Sequence, residues 1–272
     1  GYLTLKPGKT TAKGDKITIG ASAKYYSEDQ LLWSDGLEID GSLKPSQAGM
    51  YGLTHTADKA HNGLKSGTTN SVQCKDGMWS ADVNSTGRLV FWYYDPATPE
   101  EMDNSIITDE FDQIKFGMAL NGYSNFLMGV GVPSSTETDD KTQYLKTYTV
   151  REAGTWRPTN IQRTPGWHKM EAEVTAEGTK AFIDGNAVCF AGEDTPLLVT
   201  GVKTINKAAV ATNWANKADV MTWVEGKHFI DDMYILKSNA GEIKTDDSLT
   251  MTVTVDSDVT EQSDEMKLTF GA

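Results

Sequence analysis

Two adjacent carboxylates, Asp231 and Asp232, lie within the apolar run 229–236. On an unbroken strand Asp231 would share a face with Met233, and Asp232 with Tyr234, so each carboxylate leaves the backbone among apolar neighbours. A buried, ionised carboxylate must be paired, hydrogen-bonded or bound to a metal ion. Carboxylate oxygens suit calcium. The sequence therefore predicts either a structural calcium at Asp231 or hydrogen bonds to it from arginine side chains or backbone amides.

Aromatic residues are the second group of candidate functional side chains. A sugar ring presents apolar C–H faces and a fringe of hydroxyl groups, so its site needs exposed aromatic rings beside hydrogen-bonding groups. An aromatic residue on a strand can equally belong to the core, and this is the alternative for each candidate. Trp156 and Trp214 lie in polar, loop-like stretches. The ligand-binding candidates are Trp92, Tyr94, Tyr144, Tyr148, Trp156, Trp214 and Trp223, with Arg163 as a hydrogen-bonding partner.

The elements that must position these residues read as β-strands. Runs rich in Val, Ile, Thr, Tyr and Phe, separated by Gly, Asn and Pro, recur along the chain, which predicts an all-β fold with two antiparallel sheets in a sandwich. Trp92 and Tyr94 would share one face of a strand, as Tyr144 and Tyr148 would on another. Residues 206–224 fit a strand followed by a Trp-bearing loop, with a helix as the alternative. The predicted strands are Lys16–Ala23, Arg88–Tyr94, Gln113–Asn121, Phe126–Val132, Gln143–Val150, Trp167–Thr175, Thr179–Ile183, His228–Leu236, Ser248–Val255 and Glu265–Phe270.

The strand predicted at Trp167–Thr175 has one apolar and one polar face. Because side chains alternate, its apolar residues fall on one side and its charged residues on the other. We therefore expect the charged side to face solvent on an outer sheet surface. The apolar side carries Met170, Ala172 and Val174, and the charged side carries Lys169, Glu171 and Glu173.

The charge, the apolar runs and the cysteines of the chain disfavour several classes of partner and site. The 272 residues carry a formal net charge of −13, which repels phosphate backbones and anionic lipid headgroups, so nucleic-acid binding is disfavoured. No apolar run approaches the roughly 18 residues of a bilayer span, so we expect no membrane insertion. The two cysteines, Cys74 and Cys189, lie far apart without a CxxC motif, which disfavours zinc-ribbon and thioredoxin-type sites but leaves a disulfide open.

Several short motifs occur in an order that resembles the concanavalin A-like jelly-roll superfamily, which includes laminin-G-like and carbohydrate-binding modules of extracellular bacterial proteins. The most specific part is Gly-Trp-His followed by Ile-Asp-Gly. The resemblance covers about residues 31 to 237. Its motifs are Trp33-Ser-Asp-Gly-Leu-Glu38, Ala60-His-Asn-Gly-Leu-Lys65, Arg88-Leu-Val-Phe-Trp-Tyr-Tyr-Asp95, Arg163-Thr-Pro-Gly-Trp-His-Lys-Met170, Phe182-Ile-Asp-Gly185 and Phe229-Ile-Asp-Asp-Met-Tyr234.

The resemblance implies a jelly-roll domain over residues 31–240, flanked by β extensions at 1–30 and 241–272. These extensions would pair with each other, pack on the sandwich or belong to another module. It also implies that the strand of Glu38 lies beside that of Asp231, which makes Glu38 a second calcium ligand. The implied partner is a polysaccharide or glycoconjugate, and the implied setting is a larger secreted or cell-surface protein.

Catalysis has less support in the sequence. Glu38-Ile-Asp40 is similar to the start of the Glu-x-Asp-x-x-Glu strand of retaining glucanases, but the third carboxylate position is Leu43. Gly-x-Ser-x-Gly, Walker and Gly-x-Gly-x-x-Gly motifs are absent. We expect a non-catalytic carbohydrate-binding module. The alternatives are a glycoside hydrolase or polysaccharide lyase of the same fold, and a structural or adhesive surface module.

Overall fold

The computed structural model describes residues 2–5, 13–14, 16–38, 54–68, 83–100, 102–103, 115–122, 125–133, 141–211, 227–254 and 266–269. The chain divides into two compact units. One consists of residues 1–30 together with 240–272, and the other of residues 31–239.

The described residues form seventeen strands and one short helix. The strands are β1 (Tyr2–Leu5), β2 (Lys16–Tyr25), β3 (Leu31–Asp35), β4 (Thr54–Thr56), β5 (Ser66–Thr68), β6 (Gly87–Asp95), β7 (Lys115–Leu120), β8 (Phe126–Gly131), β9 (Thr147–Glu152), β10 (Thr155–Gln162), β11 (Gly166–Val174), β12 (Thr179–Ile183), β13 (Asn186–Ala187), β14 (Ala208–Ala211), β15 (Phe229–Lys237), β16 (Lys244–Thr254) and β17 (Met266–Thr269), and the helix is α1 (Thr142–Lys146). Within these residues no helix is both long and apolar enough to cross a bilayer.

Residues 31–239 form two antiparallel sheets. The five-stranded sheet has the order β10-β9-β8-β7-β14, and the eight-stranded sheet has the order β13-β12-β11-β6-β15-β5-β4 with β3 also paired to β15. The main core cluster draws on both sheets, for example Phe91 of β6 and Met128 of β8, so the sheets are the two layers of a sandwich. The prediction of an all-β, two-sheet antiparallel sandwich is confirmed.

Alternation along β6 separates the core from the other side of its sheet. Leu89, Phe91 and Tyr93 are fully buried in the core cluster, whereas Trp92 and Tyr94 point the other way and are partly exposed. We call the side of the eight-stranded sheet that points away from the core cluster the outer face.

All ten predicted strands overlap observed strands, but one is wrong in its first half. Residues 142–146 form α1, in which Leu145 donates its N–H to the carbonyl of Lys141, so Tyr144 and Tyr148 do not share a strand face. Gln, Leu and Lys are good helix formers, and this preference prevails over the alternating pattern. The ambiguous segment 206–224 contains the strand Ala208–Ala211.

Strand β10 was not predicted from the sequence. It contains Pro158, which lacks an N–H and argues against a strand. The strand lies at the edge of the five-stranded sheet, where a proline is tolerated, and its register against β9 shifts between Pro158 and Gln162.

In the other unit, strands from the two halves of the chain pair with each other. β1 pairs with β17, and β2 pairs with β16 over a long antiparallel register. In this register Ile17 is paired with Val253 and Ile19 with Met251.

A buried ion pair lies at one end of β6. The Nε and Nη2 atoms of Arg163 donate to the two carboxylate oxygens of Asp95 at 2.8 and 2.6 Å, and both side chains are fully buried. Nη1 donates to the carbonyl of Leu145. Burial raises the pKa of Asp95, but the hydrogen bonds and charge of Arg163 more than offset this, so the pKa is lower than usual. The pair joins β6 to the segment that follows β10.

Replacing Arg163 should therefore be severely destabilising. Arg163→Met leaves Asp95 buried without its cation, and we expect a loss of about 3 to 5 kcal/mol in the free energy of unfolding, measured by urea denaturation. The control is Arg157→Met, because Arg157 forms half-exposed ion pairs with Glu152 and Glu193 and should change stability by only about 0 to 1 kcal/mol. Equal effects of the two substitutions would contradict a structural role for the buried pair.

Candidate functional site

The outer face carries aromatic residues at one end and ion pairs at the other. In the register of β11, β6 and β15, Tyr94 lies between Trp167 and Phe229, and Trp92 lies between Lys169 and Asp231. Two rows of side chains from three neighbouring strands therefore form one continuous patch. We call Trp92, Tyr94, Trp167 and Phe229 the aromatic patch.

Three rings of the aromatic patch, those of Tyr94, Trp167 and Phe229, are joined by edge-to-face contacts. The centroids of Tyr94 and Trp167 are 5.5 Å apart with planes at 70°, and those of Tyr94 and Phe229 are 5.9 Å apart with planes at 75°. Trp92, Tyr94 and Trp167 are partly exposed, whereas Phe229 is 2% exposed. Such edge-to-face packing holds the rings in fixed orientations, with part of their apolar surface accessible.

The loop 57–65, between β4 and β5, lies over this patch. The imidazole of His61 stacks on Trp92 at 3.8 Å with an interplanar angle of 14°, and it meets Trp167 edge to face at 5.6 Å. The ammonium group of Lys59 lies 4.7 Å from the centroid of the Tyr94 ring. The loop therefore adds an imidazole and a cation to the aromatic residues of the sheet.

A β-bulge sets the direction of Asp231. The register of β15 against β6 shifts between Asp231 and Tyr234, and Asp232 has a φ of 46°. Because of the extra residue, Asp231 lies on the outer face opposite Trp92, while Met233 is buried in the core cluster. The sequence-based expectation that Asp231 and Met233 share a face is therefore wrong, because it assumes an unbroken alternation.

Asp231 attaches the loop to the sheet through backbone amides. One carboxylate oxygen accepts from the N–H groups of His61 and Asn62 at 2.8 and 3.3 Å, and the other accepts from the N–H of Asp232 at 2.8 Å. Asp232 in turn contacts Nδ1 of His61 at 2.6 Å. Burial, followed by the charge of Asp232, raises the pKa of Asp231 to about 7. These partners correspond to the backbone-amide alternative for Asp231.

Glu38 attaches the same loop a few residues further along. Both of its carboxylate oxygens accept from the N–H of Leu64 at 3.0 Å, and one also accepts from Lys65 at 3.4 Å. Gly63 approaches this carboxylate so closely that an added Cβ would overlap Glu38, and its φ is 67°. The two residues predicted as calcium ligands thus both bind the segment 61–65.

The described geometry does not in itself provide a calcium site. All four carboxylate oxygens of Glu38 and Asp231 accept N–H groups, and N–H donors repel a cation. Within the described residues there is no group of three or more His, Cys, Asp or Glu side chains that could hold a metal ion. We therefore derive no role for a metal from this arrangement, and calcium at Glu38 and Asp231 stays a prediction.

The charged end of the outer face is a chain of ion pairs. The Nζ atom of Lys169 is 3.1 Å from Glu171, and Arg88 contacts Glu173 at 2.9 Å and Glu171 at 3.6 Å. Glu171 is 6% exposed, so the expectation that this whole side of β11 faces solvent is correct only in part. Both carboxylates are therefore engaged in ion pairs with cationic side chains of the same sheet.

Other candidate ligand-binding residues lie elsewhere. Tyr148 is fully buried in the core, and Trp156 is 4% exposed in a cluster on the other side of the five-stranded sheet, against which Tyr144 packs. Trp156 is on strand β10 rather than in a loop, and it fills the space above Gly131, where an added Cβ would overlap its ring. The rings of Tyr148 and Trp156 are therefore not available to stack on a sugar, and this corrects the expectation for these two residues. Tyr144 is partly exposed but lies away from the outer face.

The remaining ligand-binding candidates are Arg163, which has a structural role, and two tryptophans that lie outside the described residues. Arg163 uses its guanidinium donors on Asp95 and Leu145, so its role is structural rather than ligand-binding. Trp214 and Trp223 lie outside the described residues, as does Cys74, while Cys189 is buried with a free thiol. A cleft of about 650 Å³ passes near Arg163 and is lined by residues such as Lys146 and Gln162, without an aromatic ring.

Trp167, His61 and Lys59 were not among the candidate residues. A signal for Trp167 was present, because the alternation that puts Lys169 on the outer side of β11 also puts Trp167 there. His61 and Lys59 depend on how the loop 57–65 folds back over the sheet, and nothing in their local sequence indicates that contact.

No family model matches the chain, and no curated protein matches it. Solved structures that match part of this chain include the Trypanosoma rangeli sialidase in complex with the inhibitor DANA, with 11% identity and a TM-score of 0.38, covering 68% of this chain and 27% of the sialidase. Domain 4 of AbnA, an extracellular arabinanase from Geobacillus stearothermophilus, in complex with arabinotriose has 16% identity and a TM-score of 0.33, covering 83% of each chain. The β-porphyranase BpGH16B of Bacteroides plebeius has 11% identity and a TM-score of 0.36, covering 83% of this chain and 93% of its own.

This chain spans about a quarter of the sialidase's length, and at these identities and TM-scores the similarities establish neither a family nor an activity. Residues 31–239 form the two-sheet antiparallel sandwich that the order of motifs implies. Membership of the concanavalin A-like superfamily stays a prediction.

Calcium at Glu38 and Asp231 can be tested by its removal. If the ion is bound, chelation with EDTA should lower the melting temperature by several degrees, and added calcium should restore it. In Glu38→Gln the melting temperature should then no longer depend on calcium. A melting temperature that is the same in EDTA and in calcium would contradict the prediction.

The raised pKa of Asp231 predicts how stability depends on pH in metal-free buffer. Between about pH 4 and pH 7 the unfolded chain releases the Asp231 proton while the folded protein retains it. This contribution is therefore fully present below pH 4 and is lost as the pH rises through 7. Between about pH 4 and pH 7 the free energy of unfolding of the wild-type protein should therefore fall by roughly 3 kcal/mol relative to that of Asp231→Asn.

The measurement is urea denaturation at several pH values in EDTA. The control is Asp58→Asn, which changes an exposed carboxylate in the same loop. Its free energy of unfolding should depend on pH in the same way as that of the wild-type protein. If the free energy of unfolding depends on pH in the same way in Asp231→Asn and in the wild-type protein, the raised pKa of Asp231 is contradicted.

Proposed function

We propose that the protein is a non-catalytic carbohydrate-binding module that holds a saccharide on the outer face of the eight-stranded sheet. The observation that carries this proposal is the aromatic patch, in which Trp92, Tyr94 and Trp167 come from two neighbouring strands and remain partly exposed. A partly exposed cluster of large rings among hydrogen-bonding groups is the composition of a saccharide site.

Trp167 is the best candidate for the stacking residue. Both of its described ring contacts, with His61 and with Tyr94, are edge to face at 67° and 70°. Trp92, by contrast, has the imidazole of His61 stacked flat on its ring. An apolar sugar face would therefore pack on the indole of Trp167, with Trp92 and Tyr94 supporting it from β6.

The charged end of the outer face supports binding rather than hydrolysis. A glycosidase needs one carboxyl group that is protonated at working pH and one that is free to attack or to activate water. Glu171 and Glu173 both contact Arg88, and Glu171 also contacts Lys169. The same groups can donate and accept hydrogen bonds with sugar hydroxyl groups.

We also propose that the protein acts outside the cell or at its surface, as a module of a larger chain that binds a polysaccharide or glycoconjugate. This proposal is supported by the order of sequence motifs, and the strongly acidic composition disfavours nucleic acid as a partner. Fractionation of cells that produce the tagged full-length protein would test the location.

Substitution of Trp167 tests the proposed site. On a glycan array and by calorimetry with the best ligand, Trp167→Ala should weaken binding about tenfold or more, since central aromatic residues dominate such sites. The control is Phe182→Ala, which removes a partly buried ring from the neighbouring strand β12 of the same sheet. Urea denaturation confirms that both variants are folded.

Three other outcomes separate the alternatives. Release of reducing or unsaturated ends from a polysaccharide panel would identify an enzyme instead of a binding module. Retention of binding in Trp167→Ala would move the site elsewhere. A wild-type protein that binds no glycan, and whose tryptophans resist fluorescence quenching, would favour a structural or adhesive module.

A further inference from the structure

Resting on the proposed function, we propose that the aromatic patch is specific for saccharides that carry a negative charge, either a carboxylate or a sulfate, and that Lys59 is the residue that determines this specificity.

The charged side chains that the sheet contributes beside the patch have polar or charged partners. Lys169 pairs with Glu171, Arg88 pairs with Glu173, and Asp232 contacts His61. Asp231 is buried and accepts three backbone N–H groups. Lys59 differs, since the described contact of its ammonium group is the ring of Tyr94. Its positive charge therefore meets an aromatic face rather than a carboxylate.

The backbone fixes the place of this cation. The Ser66 hydroxyl donates to the carbonyl oxygen of Lys59, and two residues further along the N–H of His61 donates to Asp231. Lys59 is exposed, so its ammonium group is open to solvent on the side away from Tyr94. A cation–π contact uses one side of the ammonium group and leaves N–H donors for a ligand oxygen.

Lys59 and Trp167 both contact the ring of Tyr94, Lys59 through the ring face and Trp167 edge to face. A single sugar ring stacked on Trp167 can therefore direct a charged substituent toward the Lys59 ammonium group. A hydrogen bond between an ammonium group and an anionic oxygen is roughly twice as strong as one between neutral groups, so the charged sugar gains more than its neutral counterpart.

The net charge of −13 does not oppose this preference at short range. At physiological ionic strength the screening length is about 8 Å, so distant carboxylates act weakly on a ligand that touches Lys59. The overall charge slows the approach of an acidic polymer, whereas the contact with Lys59 sets how tightly it is held.

The test begins with the full-length protein on an array that contains uronate, sialylated and sulfated glycans, each beside an uncharged counterpart. Oligogalacturonate beside its methyl ester is one such pair, in which the ring is kept and the charge is removed. We expect the bound glycans to be charged and to bind at least tenfold more tightly than their counterparts. The carboxylate and sulfate pairs show which of the two anions is recognised.

Lys59→Gln is then compared with the wild-type protein by calorimetry on the best-bound pair. The variant should lose about tenfold or more in affinity for the charged glycan and stay within about twofold for the neutral one. Lys180→Gln is the matched control, because Lys180 is an exposed lysine on β12 of the same sheet. Raising the salt concentration should lower the affinity for the charged glycan more in the wild-type protein than in Lys59→Gln.

The outcomes distinguish this inference from the proposed function. Equal affinity for charged and neutral glycans, or unchanged affinity in Lys59→Gln, would overturn the role of Lys59 while Trp167→Ala still weakens binding. If the wild-type protein binds no glycan on the array, the proposed function fails. If Trp167→Ala retains full affinity, the proposed site is wrong, and in both cases this inference fails as well.

Discussion

The candidate site depends on one buried carboxylate. Asp231 accepts N–H groups from the loop that carries His61 and from the bulge of its own strand. These hydrogen bonds satisfy a polar group that would otherwise be costly to bury, and they bring the imidazole of His61 onto Trp92. The bulge, the loop and the aromatic patch are therefore one structural unit. Glu38 extends this arrangement by binding the following residues of the loop.

In the interior of the sandwich, buried polar side chains pair with other side chains rather than with backbone amides. Asp95 and Arg163 neutralise each other, and the hydroxyl of Tyr93 contacts Nδ1 of His228 at 2.5 Å in the core. These polar pairs lie on the side of β6 opposite the aromatic patch, since Tyr93 and Asp95 alternate with Tyr94. One strand thus presents partners for buried polar groups on one side and rings for a ligand on the other.

The sheets could be predicted largely from the sequence, because β11 alternates between apolar and charged positions and β6 is a run of apolar and aromatic residues. The site could be predicted only in part. Trp92 and Tyr94 follow the alternation of side chains along their strand. Asp231 does not, because the bulge at Asp232 breaks the alternation, and its positive φ has no signature in a run of apolar and acidic residues. Trp156 was misjudged since its surroundings are polar in sequence, while its packing partner Gly131 comes from another strand. Contacts between distant segments, such as His61 on Trp92, have no local signal at all.

The pairing of the first strand with the last has a mechanical consequence. Tyr2 faces Thr269 in the antiparallel ribbon of β1 and β17, and the residues of the sandwich come between these two strands in the chain. A pull on the polypeptide from both ends loads this ribbon first, and its hydrogen bonds open one after another, as in a zipper. Tension along the backbone reaches residues 31–239 only after this ribbon and the pairing of β2 with β16 have separated. Force along the chain would therefore separate the paired terminal strands before it deforms the aromatic patch.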